Sequence, residues 1–587
     1  MGIMKSADRL GDSNSQKRRT RGRCAAAIAL SVLALSLAVA QTPDNTPIRP
    51  TIPAANRYQR DKVFLERADE LTMREGTDFQ LVVGNVEFRK GDMFMYCDSA
   101  HFYDTDNSLD AFGNVRMEQG DTLFVYADEL SYNGDKELAE LFASPGKKVR
   151  LINRDVMLET DVFNYDMAIN LGYYNVGGVL TDKQNRLESI EGEYSPDSKD
   201  ANFYGQVHLN SHSQRDTLDI YTDTLLYNTG SHVAELVCYS EIINAQGTIF
   251  TSNGTYNTSE GLADLYDRSL VVTRTDKTLT GDTLFYDRKR GYGEAFGDMV
   301  MTDSVKKTTL KGDYGFYNEL TDSAFVTGHA LGMEYSGQDT LYMHGDTIRA
   351  FRVINEIPAD SIREACADTT HYVIVNPRVR FYRADIQGLC DSLTFVQRDS
   401  MMYLDIHPIV WSGERQIFGS TIEVHFNDST ADWANLPRFG LMAEAIEEGF
   451  YNQLSGKMMK AYFENQDLKH LDVSGNVQAI FLPQESDSTY NKIFNVESSF
   501  LAADFNKRQL EKMKLWPQTN GTGTPLYLAK KSLYYLPQFK WYGDLRPVSP
   551  EDVFNYPDGM AELFAVPDLT ERHRSVAPAP VAVPQKR

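Results

Sequence analysis

A short phrase, Gly-Asn-Val or a close variant, recurs along this chain beside a second phrase, Asp-x-Leu-x-Tyr. The first stands at Gly84-Asn85-Val86, Gly113-Asn114-Val115, Gly205-Gln206-Val207, Gly297-Asp298-Met299 and Gly475-Asn476-Val477. The second begins at Asp128, Asp161, Asp223, Asp282 and Asp391, with a weaker copy at Asp313. Gly84 to Gly113 is 29 residues, Asp128 to Asp161 is 33 and Asp282 to Asp313 is 31. Gly113 to Gly205 and Gly205 to Gly297 are each 92, three such units. A fixed period near thirty residues marks a stacked or rolled architecture, in which each unit packs on its neighbours, and argues against a compact single-core enzyme.

Both phrases read as half-buried strands. In Gly84-Asn85-Val86-Glu87-Phe88-Arg89, Val86 and Phe88 share one face and Glu87 and Arg89 the other, the period of two that a pleated strand imposes. Val115 and Met117 repeat that inward pair. Leu130 and Tyr132, Leu225 and Tyr227, and Leu284 and Tyr286 supply the facing pairs. The turn after Tyr132, Asn133-Gly134, is a strong hairpin signal because both residues tolerate positive φ. The repeated glycine is expected at a bulge or tight bend where the sheet rolls. The repeated aspartate is expected on the same face as the inward Leu and Tyr, starting the strand through a local backbone bond. Helical signals are scarce: 358–367 after a proline, and 438–448. If each unit adds one strand to each of two sheets, ~16 units span roughly 80 Å at ~4.8 Å per strand.

The N-terminus adds a compartment. Lys17, Arg18, Arg19, Arg21 and Arg23 precede an apolar run from Ala25 to Val39, and Ala38-Val39-Ala40 has the small-x-small form of a signal-peptidase site. Fifteen residues rise only ~22 Å as a helix, short of a membrane span. Removing 1–40 takes away seven basic and two acidic residues and moves the formal charge from −23 to −28. Such a field repels nucleic acid and anionic membrane surfaces. Of the four remaining cysteines, Cys366 and Cys390 are nearest in sequence and are the expected disulfide of an exported chain. No spacing of Cys and His suits a metal, and no cofactor motif occurs. The divisions read as a signal peptide (1–40), a linker (41–60), repeats (61–351), a connecting segment (352–375), a further β region with a C-terminal cap (376–565) and a disordered tail (566–587). The aromatic run Pro537-Gln538-Phe539-Lys540-Trp541-Tyr542 reads as a cap on the last sheet edge or a docking segment.

The stretches Ala111-Phe112-Gly113-Asn114-Val115, Tyr126-Ala127-Asp128-Glu129-Leu130-Ser131-Tyr132 and Gly281-Asp282-Thr283-Leu284-Phe285-Tyr286 resemble the OstA-type repeat. That repeat belongs to the lipopolysaccharide-transport proteins LptA and LptC and to the periplasmic part of LptD. The whole pattern is most similar to long OstA-like proteins of Bacteroidota. The resemblance covers about 60–350 well and 376–500 more loosely. It implies an all-β fold: an elongated, repeated antiparallel β-jellyroll, two sheets rolled face to face and open at both ends. It further implies a periplasmic or outer-membrane-associated protein that shelters the acyl chains of lipid A in a slot. Its implied partners are lipopolysaccharide, an inner-membrane exporter and an LptD-type outer-membrane barrel, with end-to-end self-association as a further option. Under that resemblance the slot-lining candidates are Val86, Phe88, Val115, Met117, Leu130, Tyr132, Leu225, Tyr227, Leu284 and Tyr286.

Two other classes stay open at this level: a structural or adhesive envelope protein in which the repeats are a spacer, and a β-solenoid carbohydrate enzyme. Against catalysis, no Gly-x-Ser-x-Gly, His-Glu-x-x-His or P-loop sequence occurs, and His407 and His425 are isolated. Calcium loops of known spacing are also missing.

Overall fold

The computed structural model describes residues 62–73, 75–212, 217–357, 366–427, 430–447, 449–464, 467–485, 488–506 and 509–565. The expected leader, linker and tail lie outside the described residues, as does most of the expected helix at 358–367. The rest is all-β, as the alternation predicts: forty-six strands hydrogen-bonded into one continuous antiparallel network.

That network is two ladders sharing corners. The strands Gln80–Lys90, Met93–Tyr103, Ser108–Gln119 and Leu123–Asn133 are long enough to serve both. One half of each pairs in the first ladder and the other half in the second. Leu123–Asn133 shows the division: Leu123–Tyr126 pairs with Val149–Asn153, whereas Glu129–Asn133 pairs with Leu138–Phe142. Farther along, most strands are short and serve one ladder each, until Asp200–His212, Thr217–Asn228, Tyr292–Asp303, Thr308–Asn318, Asp467–Phe481 and Lys492–Asn506 again cross the corner. The inner faces of both ladders meet in one apolar core. At the far edge of the roll from the corner, two rows of turns form its mouth.

Gly-Asn-Val makes the corner. In each copy the glycine and the next residue both take positive φ: +80° and +43° at Gly84 and Asn85, +77° and +45° at Gly113 and Asn114, +72° and +41° at Gly297 and Asp298. The strand register shifts there, between Val83 and Val86, Phe112 and Val115, and Phe296 and Met299. Two residues on one strand oppose a single residue on its partner, and the one extra residue swings the second half of the strand into the other ladder, which is the work of a β-bulge. The phrases therefore feed different ladders. Gly-Asn-Val directs its inward Val and Phe or Met into one, and Asp-x-Leu-x-Tyr directs its Leu and Tyr into the other.

The aspartate stands directly before a strand at Asp161, Asp282 and Asp391 and inside one at Asp128, Asp223 and Asp313, and it does not share the inward face. Asp223 and Asp313 are exposed at the corner in mid-strand, as is Asp98 at the equivalent place in Met93–Tyr103, and Asp282 is exposed in the two-residue gap, Gly281 and Asp282, between two strands. The side chain braces the neighbouring wide corner. Asn85 Nδ2 donates to Asp69 Oδ2 at 2.8 Å and Asn114 Nδ2 to Asp98 Oδ2 at 2.8 Å, while the Ser144 N–H donates to Asp128 Oδ2 at 2.8 Å. A salt bridge from Lys147 at 2.6 Å, and then the Ser144 N–H, hold the Asp128 carboxyl down at about 2. Strict alternation failed because the corner interrupts the pleat between Asp and Leu.

Other expectations change. The stretch 438–448 is strand, Gly440–Glu447, paired on both sides; its helix-favouring Ala and Glu are overridden by the sheet. The described parts of the connecting segment, 352–357 and 366–375, belong to Thr347–Ile357 and Cys366–Asn376, which pair along their whole length, so the ladder runs through. Cys390 is a free, fully buried thiol and does not bridge to Cys366. Cys366 opens an eleven-residue strand whose other end, Asn376, leads into the partner of Cys390, which puts it ~33 Å away along the strand, far beyond disulfide reach. Burial also pushes the free Cys97 thiol up to about 12.

Each thirty-residue unit adds two rungs per ladder, not one, because each long strand contributes to both. Along its stacked rungs the roll is then on the order of 130 Å at ~4.8 Å per rung. Small-angle scattering is expected to return a longest dimension nearer ~130 Å than ~80 Å. A value near the shorter length would mean that the ladders fold back.

Candidate functional site

All ten slot candidates point inward and are buried in the shared core. The alternation thus located the inner face. Through about residue 265 that interior is filled: Phe88, Leu109, Phe163, Tyr165, Tyr194, Phe203, Tyr227 and Tyr256 are all essentially inaccessible.

The mouth of this first half is also latched. Polar pairs tie a turn of one ladder to a turn of the other. Lys90 Nζ meets Glu137 Oε2 at 2.8 Å. Asn153 Nδ2 donates to the Tyr194 hydroxyl at 3.0 Å, and Asn185 Nδ2 donates to the Tyr227 hydroxyl at 2.7 Å. Tyr227 in turn donates to Asp182 Oδ2 at 2.8 Å, and its burial, with the Asp182 charge, raises its pKa. The last latch is Lys277 Nζ, 2.7 Å from the Tyr317 hydroxyl and 3.2 Å from Asp322 Oδ1. The final Tyr of the repeat phrase therefore does more than pack: at Tyr227 its hydroxyl closes the mouth.

From Val271 onward the interior differs. The row beside the corner stays buried: Val326, Ile348, Val375, Leu393, Leu404 and Ile422. The row beside the mouth becomes partly exposed. In one ladder it runs Val373, Phe395, Met402, Val424, Ala434 and Ala461, each facing the next across the strands. In the other, Val410, Ile417 and Met442 are partly exposed in the same way. Among the described residues on the mouth side here, Arg383 pairs with Asp385 at 2.6 Å and Arg415 with Glu444 at 2.9 Å, each within one ladder. Leu284 and Tyr286, two of the ten candidates, sit at the transition with Val271 and Met301 around a cavity of about 30 Å³, room for about one water. The arrangement offers apolar floor, polar lips and no group set for covalent chemistry. Among the described residues no cluster of His, Cys, Asp or Glu could hold a metal ion.

Residues 60–215 match the OstA-like protein family. This supports the resemblance that the repeat phrases carry, and it falls on the sealed part of the roll. That family is of the lipopolysaccharide-transport type, a binding and transport family, not a class of enzymes. A comparison with curated proteins finds no match to the chain. Beyond 215 the same two ladders continue without a break to Pro525.

The partly exposed row at 373–461 was missed from the sequence. Its inward residues alternate as those of the first half do. What marks the first half is the latch: Lys90, Asn153, Asn185 and Lys277 each stand at a turn, opposite an acid or a Tyr, which a strand pattern alone does not reveal.

Proposed function

We propose that this chain shelters the acyl chains of a lipopolysaccharide-type amphiphile in the open second half of the roll, as part of outer-membrane assembly in the periplasm. The observation that carries this reading is the continuous row of partly exposed apolar side chains from Val373 to Ala461, inside a roll whose first part is OstA-like. Moving an amphiphile through water requires an apolar channel with a lateral opening, so that tails are hidden while the head stays wet. The partly exposed row beside the mouth lies where that opening is needed. The sealed first half favours a second role for 62–265, that of a stiff spacer. The open rungs at its end, Val63–Arg67 and Glu70–Met73, offer a strand edge to an exporter, a barrel or another copy.

Photo-crosslinkers at Met402, Ile417 and Val424 are expected to capture lipopolysaccharide in cells. Crosslinkers at Glu423 and Asn435, on the outer face, are not. Crosslinkers at Phe88 and Leu225 test the sealed half and should capture at least tenfold less than Val424, as buried side chains there leave no room. Equal capture from inner and outer positions, or none anywhere, would overturn the reading.

A further inference from the structure

We propose that the C-terminal end of the roll docks onto an anionic lipid surface. The last rungs are Gln509–Trp516 in one ladder and Asn520–Pro525 in the other. Each pairs on one side only, with Lys492–Asn506. In a chain of formal charge −23, the stretch 509–540 carries Lys512, Lys514, Lys530, Lys531 and Lys540 against a single acid, Glu511. All five lysines are exposed. Two further acids face this stretch across the strands: Asp504, opposite Lys512, which His470 engages at 2.6 Å, and Glu497, opposite Asn520, which accepts from Gln478 Nε2 at 3.3 Å.

Large apolar side chains stand among these charges. Tyr527 is 85% exposed and Leu528 63%. Phe500 and Trp516 are exposed and stacked at 5.7 Å, and Lys514 Nζ lies 5.1 Å from the Trp516 ring. Met513 and Leu510 are exposed on the last strand. Aromatic rings interleaved with lysine are what the headgroup region of a bilayer favours, since rings settle at the interface and each cation adds attraction to anionic lipid.

An unpaired edge could instead receive a strand from another protein. This edge is built against it. Lysines alternate along Gln509–Trp516, and Asn520–Pro525 carries Gly521, Gly523 and a proline without an N–H. Charge, glycine and proline are the features that blunt an edge strand. They leave the exposed Tyr527 and Leu528 unaccounted for, and a lipid surface accounts for both. Among the described residues no helix is long and apolar enough to cross a membrane, so this contact would be peripheral.

The test is co-sedimentation of the purified protein with vesicles of phosphatidylglycerol and phosphatidylcholine, beside vesicles of phosphatidylcholine alone. Binding is expected only to the anionic vesicles, and it should weaken as salt rises. Reversing four charges, K512E/K514E/K530E/K531E, should lower binding about tenfold or more. The matched reversal K136E/K183E/K289E/K306E, at four exposed lysines elsewhere, should change it less than twofold. The triple variant W516A/Y527A/L528A should also weaken binding while leaving its salt dependence. No binding to anionic vesicles, or equal loss from both charge reversals, overturns the proposal. So does capture of a protein on this edge with no vesicle binding. A groove variant such as Val424→Glu should bind vesicles normally, which keeps this result separate from acyl-chain capture.

Discussion

Replacing Gly297 with valine is expected to open the corner at 283–300 and to destabilise that stretch by about 3 kcal/mol or more. Two costs add. The backbone there has φ +72°, where a β-branched residue is strained by roughly 1–2 kcal/mol. A side chain would also start where another already sits: a Cβ at 297 would stand 2.4 Å from Asp282 Oδ2, 2.8 Å from its Cγ and 2.9 Å from its Cβ. The last two atoms lie close to the Asp282 backbone and cannot swing away. Asp282 is also tied in place, its N–H donating to the Gly297 carbonyl at 2.9 Å and its carboxylate meeting Arg268 at 3.1 Å. Each repeat packs only on its neighbours, so the loss should be local. Hydrogen exchange by mass spectrometry should show faster exchange in 277–303, with 80–133 unchanged. Adding Asp282→Ala removes the contacts to Oδ2 and Cγ but leaves the Cβ contact at 2.9 Å and the strain, and should restore part of the protection. If G297V exchanges like the parent, the bulge tolerates a side chain, and the glycine repeat has some other cause.

How far the sequence was legible follows from what each phrase does. The glycine phrase was readable because positive φ restricts residue type, and the register shifts fall at Gly84, Gly113 and Gly297. The inward Val, Phe, Leu and Tyr were readable because pleating fixes a period of two. Asp128 and Asp282 were misplaced because both sit where that period breaks. The rung count was halved because nothing local says that Ser108–Gln119 pairs in two ladders. The contrast between sealed and open halves was not legible at all, since it depends on which turns meet across the mouth. Nor was the course of 526–565. The aromatic run 537–542 caps no edge. It lies on the outer face of one ladder, where Phe539 and Trp541 pack against Leu441, Ile480 and Ile493, and Tyr542 against Trp411. In hindsight Ile409-Val410-Trp411 and Leu441-Met442-Ala443 carry the signal, because strands apolar on both faces need a second cover.

That cover is held by glutamines, and Gln416→Leu is expected to release it. Gln416 is fully buried and clamps the backbone of the C-terminal strap at two points. Its Nε2 donates to the Lys540 carbonyl at 2.8 Å, and its Oε1 accepts from the Tyr542 N–H at 2.7 Å. The same oxygen accepts from Trp411 Nε1 at 3.2 Å. Gln453 repeats the clamp on Tyr534 and Leu536, at 2.7 and 2.8 Å. Gln387 instead accepts from Arg546, at 2.9 and 2.6 Å. Leucine nearly preserves volume, so the variant isolates hydrogen bonding from packing. It strands a carbonyl and two N–H groups, each at about 1–3 kcal/mol when buried, so the local loss should reach about 3–9 kcal/mol. Exchange and limited proteolysis should then accelerate across 526–565 while 80–265 stays protected. Trp411, sealed beneath the strap, should shift its emission to the red. Release would bare Leu389, Ile409 and Trp411 together, an apolar patch that should make the variant self-associate. Unchanged exchange at 526–565 would mean that apolar contact alone holds the strap, and that the glutamines only satisfy one another's surroundings.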